Sequence, residues 1–378
     1  MKILEICPYS AGICGVWSRV REEAFRLAER GNEVTVFSSN FVKGKDETAK
    51  PEENLKNLKI KRFKATKLGG ESFMYWDFIK EGLKLNPEVI IVHNYRHIHT
   101  LKGLRLAKLL KKKNKNTKIF LVTHAPFVEG NITRKWHEKA IVNLYDRTVG
   151  PMTLNKYDKV LTISKWENPY LTSAGLIKEK IEYIPNGIPE EFFRIKKSKE
   201  ENKILFLGRI SPKKKLDTLV KAIPYIKDKK IKIEIIGPKE EPYASEIESM
   251  IKKIGVSNRI KIKEPVYDIE KKIKALDSCK IFVLPSRVEG MPQALIEVMA
   301  RQKIVIGSNS IALRDLIEDG ENGYLFDFDN PKSLAKTINE INENSSRENN
   351  RIRLNAKKSV EQFSWDKIIR KIEKAIES

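Results

Sequence analysis

Residues 281–306 read IFVLPSRVEGMPQALIEVMARQKIVI. The segment opens on an apolar run that ends at Leu284-Pro285-Ser286, passes through a loop holding Glu289 and Gly290, and closes on a second apolar run, KIVIGSN from Lys303. Pro292 suits the first turn of a helix, and Glu297 falls about one and a half turns into it. Strand, helix and strand in that order predict a right-handed crossover between parallel neighbours.

The same alternation extends in both directions. Upstream, KILFLGRI (203–210), KIKIEIIGP (230–238) and RIKIKEP (259–265) read as strands, and downstream so does GYLFD (323–327), before three helices end the chain. Earlier still, KILEIC (2–7), EVTVFS (33–38), VIIVHN (89–94), KIFLVTHA (118–125), KVLTIS (159–164) and KIEYIPNG (180–187) form a first series. A helix over 18–30 carries Val20, Ala24, Leu27 and Ala28 on one face and is stopped by Gly31. Between the two series, IPEEFFRIKKSKEEN (188–202) is charged and has no period, as a connector would. The expectation is an α/β chain of two doubly wound, Rossmann-like domains with a cleft between them. One spans 1–187; 188–202 links it to a second over 203–362, and the terminal helix, 363–378, packs back on the first. Such sheets bind ligands beyond the carboxyl ends of their strands.

The length of 378 residues, with 40% apolar, suffices for two buried cores, which excludes a disordered or fibrous chain. Cys7, Cys14 and Cys279 have no metal-ligand spacing, and an odd count argues against a disulfide framework. MKILEICPYS has too short an apolar run for a signal peptide, and no later stretch reaches the roughly 18 apolar residues of a membrane span. A cytoplasmic location is therefore expected. The net charge of +23 favours an anionic partner: nucleic acid, lipid headgroups or a phosphorylated metabolite.

The strand ends narrow that choice. PYSAGICGV (8–16) lacks the G-x-G-x-x-G of a dinucleotide site, and the second strand ends in Ser38-Ser39 where an acidic residue would be needed. Gly12 and Gly15 still permit close approach to a phosphate or sugar, or form a simple turn. Gly208-Arg209, with Lys214 five residues on, can clamp a pyrophosphate; alternatively it is a solvated basic turn. Glu289 and free backbone N–H groups at 290, 291 and 293 can hold hydroxyls and an oxyanion, and Glu297 can accept both hydroxyls of a ribose. Read as ordinary structure, Glu289 is a cap and Glu297 an exposed helix glutamate. Asp327-Phe328-Asp329 has D-x-D spacing but precedes Asn330-Pro331, which fits a turn and cap better than a metal site. His93, His97 and His99 straddle a strand end and a helix start without fixed ligand geometry, so no metal is expected.

Glu289 and Glu297 reproduce the E-x7-E spacing of the retaining glycosyltransferases of family 4, and the rest of the chain resembles that family in order. The further pieces are the glycine-containing loop after the first strand, His124, Ser164, Ile184-Pro185-Asn186-Gly187, Gly208-Arg209 with Lys214, EGMPQALIE and Asp319-Gly320-Glu321-Asn322-Gly323. The resemblance implies the GT-B fold and metal-independent transfer of a hexose-type sugar from a nucleotide diphosphate to a glycan, lipid-linked or small-molecule acceptor. No cofactor is implied beyond the sugar nucleotide, which is the donor substrate. Arg209 and Lys214 then neutralise the diphosphate, Gly208 lies beside them, and Glu297 binds the ribose. Glu289, with the backbone of Gly290, Met291 and Pro292, holds the transferred sugar, His124 faces that sugar, and Gly15 lies near the phosphates or acceptor. Cys14-Gly15 replaces the usual paired glycines, and Lys215 stands where a glycine is common.

Two segments bear on membranes. The helix of 98–113 carries Ile98, Leu101, Leu104 and Leu109 and runs into Lys111–Lys115, and FMYWDFIKEGLKL (73–85) is aromatic-dense. Packing of both apolar faces on the sheet is expected, with the lysines left for anionic lipid at the inner membrane face or for an acidic acceptor. A GT-B phosphorylase or a nucleotide-sugar epimerase is the alternative among enzymes, the former needing a pyridoxal phosphate lysine that cannot be located. A basic nucleic-acid binder is the alternative outside them, but no recognisable module supports it and no nucleic acid is expected.

Overall fold

The computed structural model describes residues 1–113, 116–127, 136–195 and 198–377. The chain forms two compact units. One holds Met1–Phe127, the stretch up to Asn186 and the segment from Lys367 onward; the other holds Gly187–Asp366.

In the first unit the strands are β1 (Lys2–Tyr9), β2 (Glu33–Ser39), β3 (Glu52–Leu55), β4 (Leu58–Phe63), β5 (Thr66–Lys67), β6 (Met74–Tyr75), β7 (Val89–His93), β8 (Lys118–Val122), β9 (Lys159–Thr162) and β10 (Ile181–Tyr183). Its helices are α1 (Gly15–Glu29), α2 (Ile79–Leu85), α3 (Ile98–Lys111), α4 (Trp136–Thr153) and α5 (Asn168–Ser173). Eight strands make one sheet in the order β10-β9-β8-β7-β1-β2-β4-β3, parallel except where β3 runs against β4, while β5 and β6 form a separate hairpin. The central strands are buried on both faces, which is why Val89–His93 and Ile119–Val122 read as apolar runs and not as alternations.

The second unit contains β11 (Lys203–Leu207), β12 (Lys232–Ile236), β13 (Ile260–Lys263), β14 (Ile281–Leu284), β15 (Ile304–Ser308) and β16 (Tyr324–Phe326). These form one all-parallel sheet in the order β13-β12-β11-β14-β15-β16. Its helices are α6 (Leu216–Ala222), α7 (Tyr243–Ile254), α8 (Ile269–Ser278), α9 (Gln293–Ala300), α10 (Ile311–Arg314), α11 (Pro331–Glu343) and α12 (Ser346–Val360). The strand order reverses direction at β11 and β14, so the loops after these two strands open side by side, the usual ligand position in a doubly wound sheet. The last helix, α13 (Trp365–Glu377), starts in the second unit and continues into the first.

Three sequence expectations are corrected. The helix expected from residue 18 starts at Gly15, with Cys14 as its N-cap residue. The stretch expected as a connector packs into the second unit: Ile188 and Phe192 are buried, and Arg301 donates to the carbonyls of Phe192 at 3.3 Å and Arg194 at 2.6 Å. Lys196 and Lys197 of that stretch lie outside the described residues. On α3 the face against the sheet is His99, Gly103, Leu106, Ala107 and Leu110, whereas Ile98, Leu101, Leu104 and Leu109 are half-exposed. Gly103 decides this orientation, because a Cβ there would stand 2.6 Å from Val92 Cγ1. Lys115, at the end of the lysine run, lies outside the described residues. Trp76 and Phe78 of the aromatic segment are core residues, while Phe73 and Tyr75 are exposed.

Candidate functional site

In the second unit, the chain leaves β11 through Gly208, whose φ is +156°. Gly237, after β12, has the same φ, and a Cβ on it would lie 1.9 Å from the Gly208 carbonyl oxygen. The second loop can therefore lie against the Gly208 carbonyl only because position 237 carries no side chain. Arg209 follows, exposed and without an ion pair among the described residues. A short 3-10 turn, Pro212–Lys214, ends at Lys215 in the left-handed region (φ 50°) before α6 begins.

The loop after β14 lies beside this turn, since the Arg287 N–H donates to the Lys213 carbonyl at 2.9 Å. Lys214 and Glu289 form an ion pair across the two loops. Pro292 occupies the N-cap position of α9, one residue before the helix. Gly290 and Met291 each make an interaction within the chain. Glu297 is not an exposed helix glutamate: it is 5% exposed, and Lys272 of α8 lies 2.7 Å from its Oε1 and 2.5 Å from its Oε2. The Lys272 ammonium also sits 5.5 Å from the centre of the Phe192 ring. Arg209, Lys214, Glu289 and Glu297 thus belong to adjoining loops and one helix at the carboxyl edge of one sheet.

His124 and Gly15 belong to the first unit. Gly15 opens α1, and a Cβ on it would meet nothing within 4 Å, so packing within the protein does not demand a glycine. His124 follows β8 and lines a cavity of about 500 Å³ together with Phe73, Arg96, His97 and Tyr145. Four non-glycine residues around it have positive φ: Asn94 (75°), Arg96 (69°), His124 (58°) and Ala125 (51°). Backbone held in that region costs energy and persists where surrounding contacts over-determine it. Arg96 supplies such contacts by donating to Asp146 at 2.8 Å and to the Pro126 carbonyl at 3.0 Å while lying over the Phe127 ring. Burial, followed by the Arg19 and His97 charges, holds the His124 imidazole well below its usual range, so it is neutral.

Residues 13–192 match the family described as Glycosyltransferase Family 4, and residues 187–359 match Glycosyl transferases group 1. The chain belongs to the family 4 glycosyltransferases. An uncharacterized glycosyltransferase of Methanocaldococcus jannaschii is 25% identical over 402 residues, covering 98% of this chain and 96% of the relative. The capsular polysaccharide biosynthesis glycosyltransferase CapH of Staphylococcus aureus is 31% identical over 156 residues, 40% of this chain and 42% of the relative. Among solved structures, Anabaena HepE in complex with UDP and glucose has a TM-score of 0.74 at 17% identity, covering 100% of this chain and 99% of that one. The fold is GT-B.

Several parts of this glycosyltransferase escaped the reading of its sequence. Lys272 was hidden among the lysines of α8, and Gly237 carried no motif. Glu5 left a signal, a lone carboxylate inside the apolar strand KILEIC, which the structure buries completely. The three histidines are engaged separately. His93 meets Glu5 and His124, His97 Nδ1 lies 3.1 Å from the Tyr95 carbonyl, and His99 Nε2 lies 2.6 Å from the His93 carbonyl. In the D-x-D segment Asp329 pairs with Lys215 at 3.0 Å and Asn330 caps α11, accepting from the Ser333 N–H at 3.1 Å. Ser164 sits in a turn closed by Glu167, which accepts from the N–H groups of Ile163 and Ser164.

Proposed function

We propose that this glycosyltransferase moves a hexose-type sugar from a nucleotide diphosphate to a hydroxyl of a glycan, lipid or small-molecule acceptor, with retention of anomeric configuration and without a metal ion. The observation that carries the reading is the Lys214–Glu289 pair beside the uncommitted Arg209. Departure of the diphosphate builds negative charge on its oxygens and positive character on the anomeric carbon. Two cations aimed at the phosphates stabilise that charge, and losing one such preorganised partner typically costs about 2.7 to 4 kcal/mol of barrier. A diphosphate binding Lys214 releases Glu289 from its partner, and the carboxylate is then available to accept from a sugar hydroxyl. Glu297, oriented by Lys272, accepts from the ribose hydroxyls. The leaving diphosphate can take the acceptor hydroxyl's proton on the same face, so no protein base is required and configuration is kept. His124 is proposed as a hydrogen-bond partner of a sugar hydroxyl, and Gly15 as open space for a phosphate or acceptor.

The UDP and glucose held by HepE support a sugar-nucleotide donor, and the capsular role named for CapH supports a glycan acceptor. No helix among the described residues is long and apolar enough to cross a membrane. We place the enzyme in the cytoplasm, resting on the inner membrane face through α3. The half-exposed Leu101 and Leu104 line a groove of about 670 Å³ with Arg105, Lys108, Lys111 and Lys112. Leucines beside cations suit an anionic lipid surface.

A thermal-shift panel of UDP, GDP and ADP sugars tests the donor, because a ligand that binds only the folded form raises Tm. One of these sugars is expected to raise it, and turnover with that donor should survive EDTA and give a product of unchanged anomeric configuration by NMR. An inverted product would overturn retention, EDTA-sensitive turnover would overturn metal independence, and no shift with any sugar nucleotide would overturn the donor class.

A further inference from the structure

The first unit buries a polar chain that the transfer chemistry above leaves unused. Glu5 of β1, Arg19 and Glu23 of α1 and His93 of β7 are all fully buried. His93 Nε2 lies 3.0 Å from Glu5 Oε2, and His93 Nδ1 lies 3.0 Å from His124 Nε2. The contacts therefore run without a break from a carboxyl in the core to the histidine on the cavity wall.

Charge decides which way the protons point. Arg19 Nε donates to Glu23 Oε2 at 3.1 Å, and Arg19 Nη1 donates to the Ile184 carbonyl and to Asn186 Oδ1, both at 3.0 Å. The one guanidinium is thus matched by Glu23. A second carboxylate in the same dry site would be an uncompensated charge, which is strongly unfavourable; a proton on Glu5 removes it. Burial, with the Glu23 charge next in size, drives the Glu5 carboxyl well above its usual range, and burial keeps the His93 imidazole neutral. Glu5, Glu23 and His93 also offer three ligand atoms within 4.8 Å of one another, as a metal site would. Arg19 already supplies a cation there, and with one proton the cluster is neutral.

With Glu5 protonated, the remaining directions follow from the valence of imidazole. The acid O–H donates to His93 Nε2, His93 Nδ1–H donates to His124 Nε2, and the His124 proton must sit on Nδ1. We propose that Glu5 and His93 are positioning residues that lock His124 as its Nδ1–H tautomer, so that it presents a hydrogen-bond donor to an oxygen of the ligand in this cavity. The identity of that ligand rests on the function proposed above; the proton order does not.

Two-bond 1H–15N spectra of the full chain labelled with 15N-histidine read the tautomer directly, with His124→Asn identifying the signal. Wild type at neutral pH is expected to give His124 as Nδ1–H. Glu5→Gln should keep that state, because its amide donates to His93 as the acid does. Glu5→Met should move His124 to Nε2–H or to a mixture. An Nε2–H signal in wild type, loss of Nδ1–H in Glu5→Gln, an unchanged tautomer in folded Glu5→Met, or a stoichiometric metal ion in the purified chain would each overturn the proposal. If Glu5→Met does not fold, wild type and Glu5→Gln decide. Failure to bind any sugar nucleotide with the Nδ1–H state intact would sink the functional reading and leave the relay standing.

Discussion

At the scale of single residues, the two glutamates that frame the second unit's site differ in what they already hold. Glu297 is a buried carboxylate with one ammonium, Lys272, on both of its oxygens, so its position is fixed before any ligand arrives. Glu289 faces a cation that a diphosphate would claim in the proposed reaction, and its pairing would then change on binding. The expected outcomes therefore separate. Glu297→Ala should weaken binding of the nucleoside diphosphate by at least about tenfold, the loss of a charge-assisted hydrogen bond or two. Glu289→Ala should bind that nucleotide normally and lose roughly 10² to 10³ in turnover, the usual effect of removing one preorganised group. Calorimetry with the nucleotide and a turnover assay separate the two, and wild-type nucleotide affinity in Glu297→Ala would remove its ribose assignment. Removing Glu297 also leaves the half-buried Lys272 beside Phe192 without its anion, so a denaturant curve should accompany the binding data.

At the scale of elements, much was legible because parallel strands buried on both faces leave unbroken apolar runs, as in Val89–His93 and Ile281–Leu284. Glu289 and Glu297 were legible for a different reason: a strand end, a loop and a helix start fix their spacing locally. Lys272 and Gly237 were not, and Glu5 showed only as a lone carboxylate in an apolar strand, since their partners Glu297, Gly208 and His93 lie far off in sequence and the contact exists only once the sheets have formed. Helix α3 was misread through a preference for leucine. Its buried stripe holds Gly103, His99 and Thr100, chosen for close approach to β7 and for hydrogen bonding, and the larger side chains were left at the surface. That outward face carries the prediction for this element. Replacing Lys108, Lys111 and Lys112 together with glutamate should abolish flotation of the enzyme with phosphatidylglycerol vesicles at low salt. Wild-type flotation of the triple variant would show that α3 does not carry membrane contact.

At the scale of the whole molecule, buried ionisable groups make stability depend on pH in two opposed ways. Burial holds His97 down to about 4 and His99 to about 3, so both stay neutral in the folded chain while the unfolded chain takes up protons below about 6.5. Their contribution is full above that pH and is lost on acidification. Glu167, raised by burial to about 7, acts the other way: it keeps its proton when folded, and its contribution is lost as pH rises from about 4.5 to 7. His99→Phe should therefore flatten the acid limb between pH 6 and 4 by up to about 1.4 kcal/mol per pH unit, one proton's worth. Urea unfolding at a series of pH values measures this, and an unchanged slope would rule out a neutral His99. The course of the chain has a further consequence. α13 returns to the unit that Met1 began, where Glu373 accepts from Arg30 at 2.8 Å and Lys118 donates to the Glu377 carbonyl at 2.9 Å. A ribosome making this polypeptide must therefore deliver Gly187–Asp366 before the earlier-made half can acquire α13, and that half waits, unsealed, for a segment made after the whole of the second unit.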